Sequence, residues 1–158
     1  SNLFGMVNRI LLHGCQSWLL RTLVTNISLK ILLLHQYHNV CARVAFFSDH
    51  EALGEMYEEV DGEYDSVAER LVGLTDSSQL NLQAIIDGVN QKCKLYPMDA
   101  KENAVLFQSA LQLEKELQQQ IEVMVKAGNL TQGVIQLLGD IGQRSEIRTY
   151  KIKQRIKK

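Results

Sequence analysis

Two histidines and two carboxylates stand at spacings that suit a metal ion. Eleven residues separate His38 from His50, fourteen separate His50 from Asp65, and three separate Asp65 from Glu69. The stretch from Asp49 to Glu69 carries nine of the chain's eighteen acidic residues and no Lys or Arg. A concentrated negative field that also holds imidazole suits a hard or borderline cation. Asp65 and Glu69 are four apart, so a helix puts them on one face. His50 and Asp65 are fifteen apart, roughly 22 Å along one helix axis. Ligands of a single ion sit about 2 Å from it, so one straight helix cannot close the set. Two readings stay open. The residues are unrelated, or two antiparallel copies of the helix bring His50 of one chain to Asp65 and Glu69 of another about a twofold axis.

The elements that would position these groups read as helices. Hydrophobic content is 46%, with one proline and few aromatics, in a chain of single-domain length. Leu23, Val24, Ile27, Ile31, Leu34 and Tyr37 recur at helical spacing and predict a first helix from about 23 to 40. The run 31–34 is apolar all round, which implies cover on more than one side. A second helix is predicted over 44–72, closed by Gly73. Residues 75–78 are turn and cap types ahead of a short helix near 80–89. Asp99 with Glu102 reads as a capping box for a third helix that ends at Gly128. A fourth runs from about Thr131 to 156, and Gly133, Gly139 and Gly142 in it suggest close backbone approach to a neighbour. Residues 1–22 read as an amphipathic lead-in. His13, Gln16 and Arg21 break its apolar run well short of a spanning helix, so no membrane role is expected. Residues 23–158 form one domain with a basic end. Three cysteines without framework spacing fit a reducing cytoplasm.

The net charge is only −1, but it is unevenly spread. No acid precedes Asp49. The chain ends on Arg148, Lys151, Lys153, Arg155, Lys157 and Lys158, with isoleucines between them. Cations at a helix C-terminus offset its dipole. The same six residues are also a candidate phosphate-contacting tail for DNA. Tyr57 and Tyr64 read as core, and Glu58, Glu59 and Glu63 as a solvated face.

Leu34-His35-Gln36-Tyr37-His38, Phe46-Phe47, His50-Glu51 and Asp65-x-x-Ala68-Glu69-Arg70 resemble the signature of the Dps miniferritins, the DNA-protection-during-starvation proteins of the ferritin-like superfamily. Leu95-Tyr96-Pro97-Met98-Asp99 is similar to that family's turn before its third helix. The resemblance implies an all-α, ferritin-like four-helix bundle with a short helix in the middle crossover, assembled into a hollow dodecamer. It implies a ferroxidase: Fe(II) bound by His38 and His50 of one chain and Asp65 and Glu69 of its twofold partner. The iron would be oxidised with hydrogen peroxide and stored inside as Fe(III), with Zn or Mn as substitute ions. Glu51 and Glu55 would be accessory carboxylates facing the cavity. The alternative is a DNA-binding and compacting shell with a degraded metal site. Glu-x-x-His, the di-iron pair of ferritins proper, does not occur.

The chain departs from the pattern at three places. Gly54 stands where the family carries a carboxylate ligand. Asn39-Val40-Cys41-Ala42-Arg43 replaces Trp-Asn-Val-x-Gly, so the tryptophan beside the site is missing. The segment 129–133 is uncharged where the family has acidic channels. The glycine implies one firm and one weak metal position, a reduced oxidation rate, and a gain on Gly54→Asp.

Overall fold

The structure is a computed structural model that describes residues 2–158, with side chains from 15 onward. Among the described residues the only regular elements are helical: α1 (Asn2–Val40), α2 (Phe46–Leu74), a 3-10 turn (Ser77–Gln79), α3 (Leu82–Cys93), α4 (Asn103–Ala127) and α5 (Gln132–Ile156). The four long helices make two hairpins, α1–α2 and α4–α5. The crossover between them carries α3, which packs on α1. The expected four-helix bundle with a short crossover helix is therefore present.

The apolar positions explain the packing. Leu20, Leu23, Ile27, Leu34 and Tyr37 of α1 are sealed against Leu53, Val60, Val67 and Leu71 of α2. Leu106, Phe107, Leu113, Leu117 and Met124 of α4 and Val134, Leu138, Ile141 and Ile152 of α5 complete the core. Each set recurs every three or four residues, so each helix buries one stripe. The segment Cys15–Val40 is long and apolar enough to cross a membrane by length and composition, but half of that window is buried within the bundle.

Several boundaries differ from the sequence expectation. Helix α1 starts at Asn2 rather than near 23, and Leu19 and Leu20 already belong to the core. The side chains of residues 1–14, most of the expected lead-in, lie outside the described residues. Gly73 lies inside α2. The helix ends instead where Thr75 donates through its backbone N–H and Oγ1 to the Leu71 carbonyl. The Asp99–Glu102 capping box does not form: Asp99 accepts from the Ala100 N–H, and α4 starts at Asn103 without a side-chain cap. Thr131 does cap α5, accepting from the Val134 N–H. The glycines of α5 are not at a close helix contact within the chain. A Cβ on Gly139 would meet nothing, and one on Gly142 only an ordinary contact with Ile121. One on Gly133 would meet the flexible end of Arg70. The close approach is at Gly88, where a Cβ would lie 2.5 Å from Thr25 Cγ2.

One level of the core is ionic. Lys30, Glu63, Glu114 and Arg148 are all buried between the four long helices. Arg148 Nε donates to Glu114 Oε1 at 2.7 Å and its Nη1 to Glu63 Oε1 at 2.8 Å. Lys30 Nζ lies 2.5 Å from Glu114 Oε2. Ser145 Oγ donates to the same oxygen, and Arg144 Nε reaches Glu63 at 3.1 Å. Burial alone would raise the Glu114 carboxyl, but Lys30 and Arg148 hold it below the usual range. Glu63 is thus a core residue and not part of a solvated face, and Glu59 also pairs with Arg148.

Candidate metal centre

The loop of residues 41–45 turns the chain so that the last turn of α1 faces the first turns of α2. Arg43 and Ala45 both take left-handed backbone angles in it, at φ 67° and 64°. The turn is pinned from below. Asn103 accepts from the Ala42 N–H at 2.9 Å and donates to Asp49 Oδ2 at 2.9 Å. Arg155 grips both oxygens of Asp49, each at 2.8 Å. Burial would raise the Asp49 carboxyl, but the hydrogen bonds from Arg155 and Asn103 outweigh it and hold the group below its ordinary value.

On this turn His38 and His50 close on each other. Their rings stack with centroids 3.6 Å apart. His38 Nδ1 donates to the His50 carbonyl at 2.6 Å, and His50 Nδ1 donates to the His38 carbonyl at 2.7 Å. A carbonyl can only accept, so each Nδ1 carries a hydrogen. In the neutral ring the lone pair is then on Nε2, the nitrogen left to bind a metal. An Nδ1–H fixed to a backbone carbonyl is a common way of orienting a ligating histidine. Half-buried Tyr57 meets His38 edge-on at 5.4 Å and stacks on His35 at 4.4 Å, so it is a neighbour of the pair and not only core. Phe46 also meets the His50 ring, with centroids 5.1 Å apart.

Gly54 lies beneath His38. A Cβ there would fall 3.0 Å from both Cε1 and Nδ1 of that ring. The position expected to hold a missing carboxylate is therefore filled by an imidazole of the same chain.

Asp65 and Glu69 sit well along α2 from this pair, both exposed and both without a hydrogen bond or ion pair among the described residues. Glu51 and Glu55 are likewise exposed and unpaired on α2. Among the described residues no three of His, Cys, Asp and Glu converge on one point. One chain thus brings the two histidines together and keeps the two carboxylates apart from them. The arrangement puts imidazole nitrogen near the start of α2 and unpaired carboxylate oxygen towards its other end.

The basic end of the chain divides. Arg148 is buried in the ionic layer, and Arg155 is held by Asp49 and lies 5.2 Å over the Phe107 ring. The reading of Arg148 as a phosphate contact is corrected, since its guanidinium is sealed inside the fold, whereas that of Arg155 is partly exposed and already paired with Asp49. Ser145, Arg148, Ile152 and Arg155 recur at three and four, so they share the stripe that α5 turns to the core. Lys151, Lys153, Lys157 and Lys158 remain exposed. Sequence reasoning also missed Lys30 and the Asp49–Asn103–Arg155 clasp. A lysine inside the run Leu29-Lys30-Ile31-Leu32 was the one signal available for the former.

No protein family model matches the chain, and no curated protein matches its sequence. Solved structures do match its fold. Dps92 from Deinococcus radiodurans superposes with a TM-score of 0.79 at 19% identity, over 90% of this chain and 86% of that one. The DPS protein from Vibrio cholerae O1, described as a member of a broad superfamily of ferritin-like diiron-carboxylate proteins, gives 0.82 at 18% identity, over 92% and 91%. A mutant of Listeria innocua Dps gives 0.75 at 21%, over 90% and 95%.

Proposed function

We propose that this chain, which has the ferritin-like fold of the Dps structures, is a subunit of an iron-oxidising and iron-storing shell. The observation that carries the reading is the His38–His50 pair, whose Nδ1 atoms are tied to backbone carbonyls and whose Nε2 atoms are left as donors. Fe(II) is the substrate. His38 and His50 of one protomer supply nitrogen, and Asp65 and Glu69 of its twofold partner supply oxygen that also tolerates Fe(III). Each Fe(II) gives up one electron. Hydrogen peroxide as oxidant takes two, and with two protons it becomes two waters. The protein's part is positional: it fixes the imidazoles, holds the turn through Asn103 and Arg155, and leaves the carboxylates unpaired. Glu51 and Glu55 are the proposed inner carboxylates on which Fe(III) collects. The assembly is a closed homo-oligomer, a dodecamer by analogy with the fold.

A complementation assay tests the shared site. One variant carries His38→Ala with His50→Ala, and the other carries Asp65→Asn with Glu69→Gln. Each is expected to lose fast Fe(II) oxidation. In an equal co-assembled mixture, half the twofold dimers pair unlike chains, and one of their two sites is whole. About one quarter of the activity should therefore return. Recovery of none, with mixed assembly shown by mass spectrometry, would refute the shared site.

A second reading, DNA binding by the shell, rests on the four exposed lysines at the end of α5.

A further inference from the structure

Helix α2 contains glycine at 54, 62 and 73, each a poor choice inside a helix. A Cβ at 62 or 73 would meet nothing within 4 Å. Only at 54 does another group occupy the place of the side chain, and that group is the His38 imidazole. Gly54 is buried, so the ring closes over it.

The ring has little freedom to give way. Its Nδ1 is hydrogen-bonded at 2.6 Å, one face lies on His50 at 3.6 Å, and an edge meets Tyr57 at 5.4 Å. Ordinary carbon contacts fall at about 3.5–4.0 Å, so a methyl group at 54 must push the ring outward. Moving it stretches the bond to the His50 carbonyl or unstacks the pair. The reciprocal bond from His50 to the His38 carbonyl ties the two together, so displacing one ring loosens the orientation of the other.

We infer that Gly54 is a positioning residue of the metal centre: by having no side chain it seats the His38 imidazole against α2, stacked on His50 with Nε2 free. The inference rests on the metal-binding reading and reverses one part of the sequence expectation. A carboxylate at 54 would not add a ligand to this arrangement. It would evict one. The half-site that one protomer supplies is then made of nitrogen alone, two stacked imidazoles tied to backbone carbonyls.

The test uses the assembled full-length protein in four forms: unmodified, Gly54→Ala, Gly54→Asp and Gly62→Ala. Zn(II) is the redox-inert probe, titrated calorimetrically against a competing chelator. Gly62→Ala removes the same helix defect where the space is open, and it should leave Zn(II) affinity unchanged. Gly54→Ala should weaken Zn(II) roughly tenfold or more, the scale seen when a group that orients a ligand is removed. Gly54→Asp should also bind more weakly than the unmodified protein. Equal affinity for the two alanine variants, or tighter binding by Gly54→Asp, overturns the inference. If the unmodified protein takes up no Zn(II), it is the metal reading that fails. A metal-free crystal structure of Gly54→Ala then decides the seat alone, since an undisplaced, still stacked His38 ring would refute it.

Discussion

Two substitutions in the ionic layer should have opposite effects. Arg148 is the hub: it is 3% exposed and holds Glu114 at 2.7 Å and Glu63 at 2.8 Å, both nearly sealed from solvent. Arg148→Met leaves two buried carboxylates short of a partner, with only Lys30 and Arg144 in reserve. Breaking a buried pair from one side costs about 3–5 kcal/mol. Lys30 is the reverse case. Burial pushes its amine from 10.5 down to about 8, even though Glu114 lies 2.5 Å away. At about 1.4 kcal/mol per tenfold change in proton affinity, the charged lysine is disfavoured in the fold by up to roughly 3 kcal/mol. Glu114 keeps Arg148 and Ser145 if Lys30 is replaced. Lys30→Met should therefore be neutral or stabilising at pH 7. The sign with pH follows. Below pH 8 both folded and unfolded chains hold the proton and the cost is present in full. Between about 8 and 10.5 the folded chain releases it first, so the unmodified protein gains stability relative to Lys30→Met. Urea unfolding at fixed protomer concentration, at pH 7 and pH 9.5, measures both effects. A Lys30→Met loss above about 1 kcal/mol at pH 7, or a difference between the two proteins that does not change with pH, would show that Glu114 needs the lysine and that the reasoning from burial is wrong.

Two further outcomes follow from the packing of α3 and from the exposed lysines of α5. Gly88→Ala should cost about 1–3 kcal/mol by forcing α3 off α1, and Thr25→Ala, which removes the opposing methyl, should restore most of it in the double variant. Thermal unfolding of the three variants reads this, and additive destabilisation would deny that the two residues touch. If the shell binds DNA through its basic end, replacing Lys151, Lys153, Lys157 and Lys158 by Gln should weaken binding. The slope of affinity against salt should flatten by about 0.9 for each phosphate no longer neutralised. Stability should not change, and unaltered mobility-shift titrations would remove the lysines from that role.

The helices were legible because each buries one periodic stripe, and periodicity survives without tertiary knowledge. Their ends were not. Helix α4 starts at Asn103, whose side chain goes to Ala42 and Asp49, and no local pattern announces such a tertiary hydrogen bond. The glycines of α5 were read as close contacts for the same reason. Helix propensity treats 54, 88, 139 and 142 alike, but a Cβ at 139 or 142 would meet no close neighbour, one at 54 would press on the His38 ring, and one at 88 would collide with Thr25. The basic end was read as one patch because charge was counted without direction. The spacing Ser145, Arg148, Ile152, Arg155 was the available correction, since a residue on an apolar stripe shares that stripe's burial.

The acidic run on α2 sorts by the same logic. No Lys or Arg lies on α2 between Asp49 and Glu69, and the ion pairs its acids make among the described residues go to another helix. Helix α5 supplies it: Arg155 takes Asp49, Arg148 takes Glu59 and Glu63, and Arg144 also reaches Glu63. The acids without an ion pair among the described residues are Glu51, Glu55, Glu58, Asp61, Asp65 and Glu69. Five of these, Glu51, Glu55, Glu58, Asp65 and Glu69, are separated by four, three, seven and four residues, which is the spacing of one helix face turned away from the paired acids. The negative field seen in the sequence is thus two populations. One is balanced by arginine and holds the bundle together. The other makes no ion pair among the described residues and stays exposed on one face of α2.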